Sequence, residues 1–340
     1  MTEFLANYGL FLLKTLTFVA AVLAIIAAGA AASRKAAHQE GLEVENLNKK
    51  FRKMASGLRR AVMTKAEWKV ESKKEKEDAK AESKSTEHKP RTFVLDFKGD
   101  LKASAVPSLR GEISAILDVA EEGDDVVLRL DNHGGVVHEH GLAASQLVRL
   151  RERGIPLTVV VDKVAASGGY LMACVADRIL VAPFAILGSI GVIAQLPNFN
   201  RLLDEKGVDF EQVTAGKYKR NVTMFGKNTD EDRARLKEQL EDVHMLFKGI
   251  VGEYRPNLDI EKVATGEHWY GRHALELGLA DEVRTSDELL AELAKDRELY
   301  RLHYRQKQPL QKRLMSGVDG ALQLFDESRW RRRFESRLPR

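Results

Sequence analysis

IPLTVVVDKVAASGGY, residues 155–170, decides how this 340-residue chain is read. Pro156 opens a short aliphatic and β-branched run, LTVVV, of the kind that forms a buried strand. VAASGGY follows, with Ser167 among small residues and a helix-like run behind it. A serine between a strand and a helix has two uses. It caps the helix, or it is a nucleophile placed where backbone N–H groups favour developing negative charge. This stretch alone leaves both open.

Working outward, strands and helices alternate. TFVLDF (92–97) and DVVLRL (125–130) have strand character, whereas VPSLRGEISAILDVAEE (106–122) and GLAASQLVRLRERG (141–154) have helical character. TDEDRARLKEQLEDVHMLFKGIVGEYR (229–255) is a long helix, capped by Thr229 or Asp230, with acidic residues in its first turn. Such alternation implies crossover connections and a largely parallel sheet, so the fold class is α/β. ILVAPFAILGSIGVIAQLPNF (179–199) is uncharged, but Pro183, Gly188, Gly191 and Pro197 cut it into strand-sized pieces of a core. No internal repeat is visible, which leaves one unit large enough for catalysis.

The ends differ in kind. From Phe4 to Ala32 the only charge is Lys14, and residues 15–32 are apolar apart from two threonines, enough to span a bilayer. Glu3 comes first and Lys14 late, unlike a cleaved leader, so residues 1–33 read as a retained single-pass transmembrane anchor in the cell inner membrane. The basic flank of residues 34–60 places the following domain on the cytoplasmic side. Residues 65–91 mix both charge signs with little to bury and read as a solvated helix or flexible tether. The organisation is therefore anchor 1–33, charged spacer 34–91, folded domain 92–290 and basic tail 291–340. That tail ends in RWRRRFESRLPR, read as solvated or lying against anionic lipid. The overall charge of +4 is too small for a nucleic-acid footprint. A single cysteine, Cys174, excludes an internal disulfide framework.

A nucleophilic serine needs a base and an oxyanion site. In DNHGGVV (131–137) a strand ends on two glycines before a helix, so the amides of Gly134 or Gly135, with that of Gly168, are candidates to converge on one oxygen; an ordinary glycine turn is the alternative. His133, His138 and His140 form the only local histidine cluster. They fit neither a triad pattern nor an HExxH site, and no metal or other cofactor is expected. A neutral lysine also serves as base, and TAGKYKRN (214–221) offers Lys217 and Lys219, between which spacing does not choose.

Taken in order, DNHGGVV, KVAASGGYLMACVADRI, APFAILGSIGV, TAGKYKR and GEHWYGRHALELGLADEV resemble the signal peptide peptidase A family of serine peptidases, in particular its SohB-type branch, over residues 92–285. The resemblance implies a ClpP/crotonase-like fold of stacked ββα units. It implies Ser167 as nucleophile, Lys219 as general base, Gly135 and Gly168 as oxyanion donors, and Ser189 near the substrate cleft. It further implies peptide substrates, among them membrane-derived or signal-type peptides, and a homo-oligomer. Asn132-His133 stands where the family often has Ser-Pro. The alternatives are a crotonase-like acyl-thioester enzyme with the same oxyanion site and a non-enzymatic membrane scaffold.

Overall fold

A computed structural model describes residues 7–20, 41–82, 89–216, 218–219 and 222–306. The chain divides into two units, Met1–Gly41 with Arg305–Arg340, and Leu42–Tyr304. In the first, residues 7–20 are helical (α1) and expose Phe11, Leu13, Leu16 and Phe18. No helix among the described residues is long and apolar enough to cross a membrane. The remainder of the anchor read over 1–33, and the arginine-rich end of the tail, lie outside the described residues.

The second unit begins with β1 (Gly41–Asn46), α2 (Leu47–Val62) and α3 (Lys65–Glu82). Next come β2 (Arg91–Lys98), α4 (Val106–Val119), β3 (Asp125–Asp131) and α5 (Val137–Glu152). β4 (Leu157–Val161), β5 (Val164–Ala166), α6 (Gly168–Ala173), β6 (Arg178–Val181) and β7 (Ile186–Gly188) follow. The chain continues through α7 (Asn200–Glu205), α8 (Asp230–Tyr254), α9 (Ile260–Val263), β8 (His268–Tyr270) and α10 (Gly271–Glu276). It finishes with β9 (Glu282–Val283), α11 (Ser286–Asp296) and β10 (Glu298–Arg305).

Seven strands form one sheet in the order β1-β10-β2-β3-β4-β6-β9, with the pairs from β10 to β9 parallel. Side chains alternate across a strand, and these strands are apolar in both directions. Phe93, Leu95 and Phe97 of β2, Leu128 of β3, Val159 of β4 and Ile179 of β6 enter one core with Leu109 and Ile113 of α4 and Leu147 of α5. Val94, Val127, Val160 and Leu180 enter a second core with Leu47 of α2 and Leu289 and Leu290 of α11. The α/β reading thus holds, with helices over both faces.

A second, three-stranded sheet has the order β5-β7-β8, with β5 and β7 parallel and β8 antiparallel to β7. The chain reaches it repeatedly from the large sheet: β4 leads to β5, β6 leads to β7, and β3 leads to Asn132, which bridges Ala165. This recurrent step from large sheet to small sheet brings three chain segments to one place.

The boundaries drawn at 91 and 290 fall inside this packing. Leu47 is buried in the second core, and the Asn48 amide donates to the carbonyls of Ala294 (3.1 Å) and Arg297 (2.9 Å) while accepting from the Leu299 N–H (2.7 Å). Similarly, β10 pairs with β2, so part of the sequence read as spacer and tail completes the sheet. The charged α3 does form the solvated helix that its composition suggests. α5 begins four residues before the glycine at which its periodicity was first legible.

Asn48→Ala would strand the buried Leu299 N–H and leave the part-buried carbonyls of Ala294 and Arg297 without this partner, at about 1 kcal/mol for the buried group and less for each of the others. Its urea midpoint should fall well below that of wild type, whereas a dispensable spacer would leave it unchanged. Glu112 of α4 gives a pH-dependent counterpart. Burial pushes its carboxyl up to about 7, against the bond it accepts from Tyr304 N–H (2.8 Å). The unfolded chain loses this proton near 4.5 and the folded chain near 7, so the residue removes stability as pH rises through that window. Glu112→Gln should therefore gain stability relative to wild type at pH 8, by a few kcal/mol, and little at pH 4; equal differences at both pH values would refute this.

Candidate active site

The ends of the small-sheet segments lie side by side. Ala166 pairs with Gly188 and Ala165 with Asn132, so the residues that follow are neighbours. Ser167 N–H donates to Gly188 O (2.8 Å), and Ser189 N–H to Glu267 O (2.6 Å). Both serines have positive φ, 53° and 52°, and Gly134 on the adjoining segment has φ 85°. For a serine this costs on the order of 1–3 kcal/mol and persists only where its surroundings enforce it. Here the Gly188 carbonyl and the start of α6 do so.

Ser167 occupies the N-cap position of α6, but its side chain makes no capping bond. The helix-cap reading is thereby excluded. Among the described residues its Oγ has no hydrogen-bond partner. Ser167 is half-buried.

Glycine is required around it by contact. A Cβ on Gly134 would lie 2.7 Å from Gly168 N and 2.8 Å from Ser167 Cβ. One on Gly168 would lie 2.5 Å from the His140 ring, and one on Gly135 2.3 Å from Leu101 O. The Gly134 amide already donates to Asn132 Oδ1 (2.9 Å). The amides of Gly135 and Gly168 have no acceptor among the described residues.

Asn132 and His140 are the residues to which the sequence assigned no role in the site. Asn132 is fully buried: Oδ1 holds the Gly134 amide and faces His140 Nε2 (3.2 Å), while Nδ2 donates to Met172 Sδ (3.3 Å). Its backbone accepts from Ala166 N–H (3.0 Å) and donates to Val164 O (2.9 Å). The asparagine that departs from the expected Ser-Pro thus joins the glycine turn to β5 and α6. Its position directly after a buried strand was the available signal. The three histidines diverge, since His140 is buried while His133 and His138 are exposed. Cys174 is buried behind α6, and burial pushes its thiol up to about 12, so it is no rival nucleophile.

Lys219 stands elsewhere. The described residues between 190 and 229 leave the small sheet as an excursion with contacts of its own: Phe225 stacks near Phe199 (6.1 Å) and tilts against Phe210 (5.8 Å), and Asn198 Nδ2 donates to Thr223 O (2.9 Å). Arg235 of α8 lies over the Tyr218 ring (4.6 Å). Lys219 is exposed there, lining a cleft of about 660 Å³ with Leu196, Phe210 and Val222; its backbone N–H donates to Gly216 O (3.1 Å), and its ammonium makes no hydrogen bond or ion pair among the described residues. The structure therefore sets Ser167, Gly168, Ser189 and the turn that carries Gly135 on adjoining segments, while Lys219 lines a cleft whose walls include none of them. Lys217 lies outside the described residues.

Family models for the N-terminal part of peptidase family S49 and for peptidase family S49 match residues 3–147 and 149–300. The chain is 46% identical to a probable protease SohB of Haemophilus influenzae, covering 92% of each chain. It is 54% identical to a probable protease SohB of Buchnera aphidicola over 68% of this chain and 69% of the other. Among solved structures it matches a 1510-N membrane-bound stomatin-specific protease in complex with a substrate peptide, at 14% identity and a TM-score of 0.42, over 68% of this chain and 98% of that one.

Two alanine substitutions test how tightly the turn is built. A Cβ on Gly169 would lie 2.1 Å from Asn132 O, the acceptor of Ala166 N–H, whereas Gly141 in α5 has open space. Gly169→Ala should lower the melting temperature by at least several degrees. Gly141→Ala should raise it slightly, by about 0.5–1 kcal/mol of helix propensity.

Proposed function

The chain belongs to peptidase family S49, and on that premise we propose that it is a membrane-anchored serine endopeptidase working through Ser167 and Lys219. The observation that carries the reading is Ser167 itself, held at positive φ at the head of α6 with a hydroxyl free of any capping bond. Strain of this kind without a structural use supports a reactive one.

In the reaction, the neutral Lys219 amine takes the proton of Ser167 Oγ as Oγ bonds to the peptide carbonyl carbon. The resulting oxyanion accepts from the amides of Gly135 and Gly168, whose lack of other acceptors supports the assignment. The lysine ammonium returns its proton to the leaving nitrogen as the C–N bond breaks. Water then attacks the acyl-enzyme, again giving a proton to Lys219, and releases the carboxylate and the free serine. Ser189, next to Ser167 across β5 and β7, lines the cleft beside the scissile bond. Peptides with small apolar side chains, including membrane-derived or signal-type peptides, are the substrates.

Lys219 must approach Ser167 for this chemistry. The excursion that carries it exposes Ile193, Leu196, Val208 and Val213, the last at 97%. Such a surface supports a homo-oligomer in which packing of the excursion completes the dyad. The apolar sequence Phe4–Ala32 and its basic flank support a single inner-membrane anchor with the catalytic unit on the cytoplasmic side.

The test is covalent. A fluorophosphonate should label the wild-type protein at Ser167, located by mass spectrometry, and both Ser167→Ala and Lys219→Ala should lose labelling and peptide hydrolysis by at least 100-fold. Because the base acts as a neutral amine, labelling of wild type should rise toward alkaline pH. A folded, oligomeric preparation that never labels would reject the peptidase reading.

A further inference from the structure

α2 carries a surface that the peptidase chemistry does not use. Leu47, Phe51, Met54, Leu58 and Val62 succeed one another at helical spacings of three or four and form one apolar stripe. The stripe begins inside the protein and ends outside it. Leu47 is buried in the second core and Phe51 packs against that core, but Met54, Leu58 and Val62 are 65%, 66% and 73% exposed.

The rest of the helix is cationic. Lys49, Lys50, Arg52, Lys53, Arg59 and Arg60 share sixteen residues with no aspartate or glutamate. Among the described residues Lys49, Lys53 and Arg60 make no ion pair. α3 does not cover the stripe, because it lies on the polar side: Glu75 accepts from Ser56 Oγ (3.0 Å) and pairs with Arg59 (2.8 Å), which also approaches Glu71 (3.4 Å). Being charged all round, α3 has no apolar face to offer.

We infer that α2 is an interfacial helix that lays Met54, Leu58 and Val62 into the headgroup boundary of an anionic bilayer, with its flanking lysines and arginines on the lipid phosphates. Three features select this occupant. An apolar stripe bordered by cations matches an anionic interface on both counts. A self-complementary contact between two copies of the helix would instead bring like-charged flanks together, Lys49, Lys53 and Arg60 of each among them. Finally, fourteen residues separate Ala32 from Leu47, which is at most about 50 Å of extended chain, so a membrane anchor in that sequence keeps α2 at the bilayer. This last argument rests on the anchored reading of the N-terminus. Docking by α2 would orient the large sheet, to which Leu47 and Asn48 join the helix, relative to the membrane.

The experiment uses the full chain in nanodiscs of neutral or anionic phospholipid. Leu58→Cys, with Lys73→Cys on α3 as the comparison site, carries an environment-sensitive fluorophore; the native Cys174 is buried. In anionic discs the probe at 58 should be quenched at least several-fold more by nitroxide-labelled lipid than by aqueous iodide, and the probe at 73 the reverse. Neutral discs, or Lys53→Glu with Arg60→Glu in a protein of unchanged circular dichroism, should abolish the difference. A probe at 58 that stays open to iodide in anionic discs overturns the proposal. So does shielding that persists in detergent and vanishes on dilution, which would assign the stripe to a second copy. A chain that never enters discs overturns the anchored reading and the proposal with it, whatever fluorophosphonate does at Ser167.

Discussion

The fully buried side chain of Asn132 is the joint on which the candidate site depends. Burying an amide without partners is costly, and every polar atom of this one is directed at a neighbour: the Gly134 amide, His140 and Met172. Those partners belong to three elements, the glycine turn, α5 and α6. With the backbone of Asn132 bridging β5, the turn cannot move independently of Ser167. Positive φ at Ser167 is sustained by this framework and by Gly188 from the next strand. The strain and its support come from different parts of the chain, which only the small sheet brings into register.

Against that rigid half, the excursion 190–229 is built differently. It has its own aromatic cluster and side-chain-to-backbone bonds, and it presents large apolar residues to solvent while carrying Lys219. On the proposed reading, nucleophile and base would stand on elements of different character, and the base would sit on that apolar surface. The proposed lipid contact of α2 extends the same logic. One end of the helix belongs to the core and the other exposes what the core does not absorb.

Several local features were legible because they depend on neighbours in sequence. The strands at 92–97, 125–130 and 157–161 are runs apolar on both faces, which only a covered parallel sheet satisfies. Thr229 closes a capping box with Asp232 at the start of α8, a signal four residues long. Ser167 and the glycines stood out for the same reason, as small residues at a strand-to-helix junction. Asn132 and His140 were visible only as a departure from the family pattern and a member of a histidine cluster, because nothing in DNHGG or HEH reveals that one is fully buried and the other lies beneath Gly168.

The sequence by itself determined the α/β class and the family, and it nominated Ser167, Lys219, the glycines and Ser189, because periodicity, turn chemistry and ordered motifs are local properties. Tertiary structure decided what the spacer and tail do. Leu47, Asn48 and β10 look dispensable in a charged context, yet they are bound to residues some 250 positions away in sequence or to the far strand β2. It also decided that Ser167 makes no capping bond, that the Gly134 amide is held by Asn132 Oδ1 while that of Gly135 meets no acceptor among the described residues, and that Lys219 lines a cleft whose walls do not include the serine. Residue order carries none of these, because each is a distance or an orientation that exists only once the sheets have set the register of the segments.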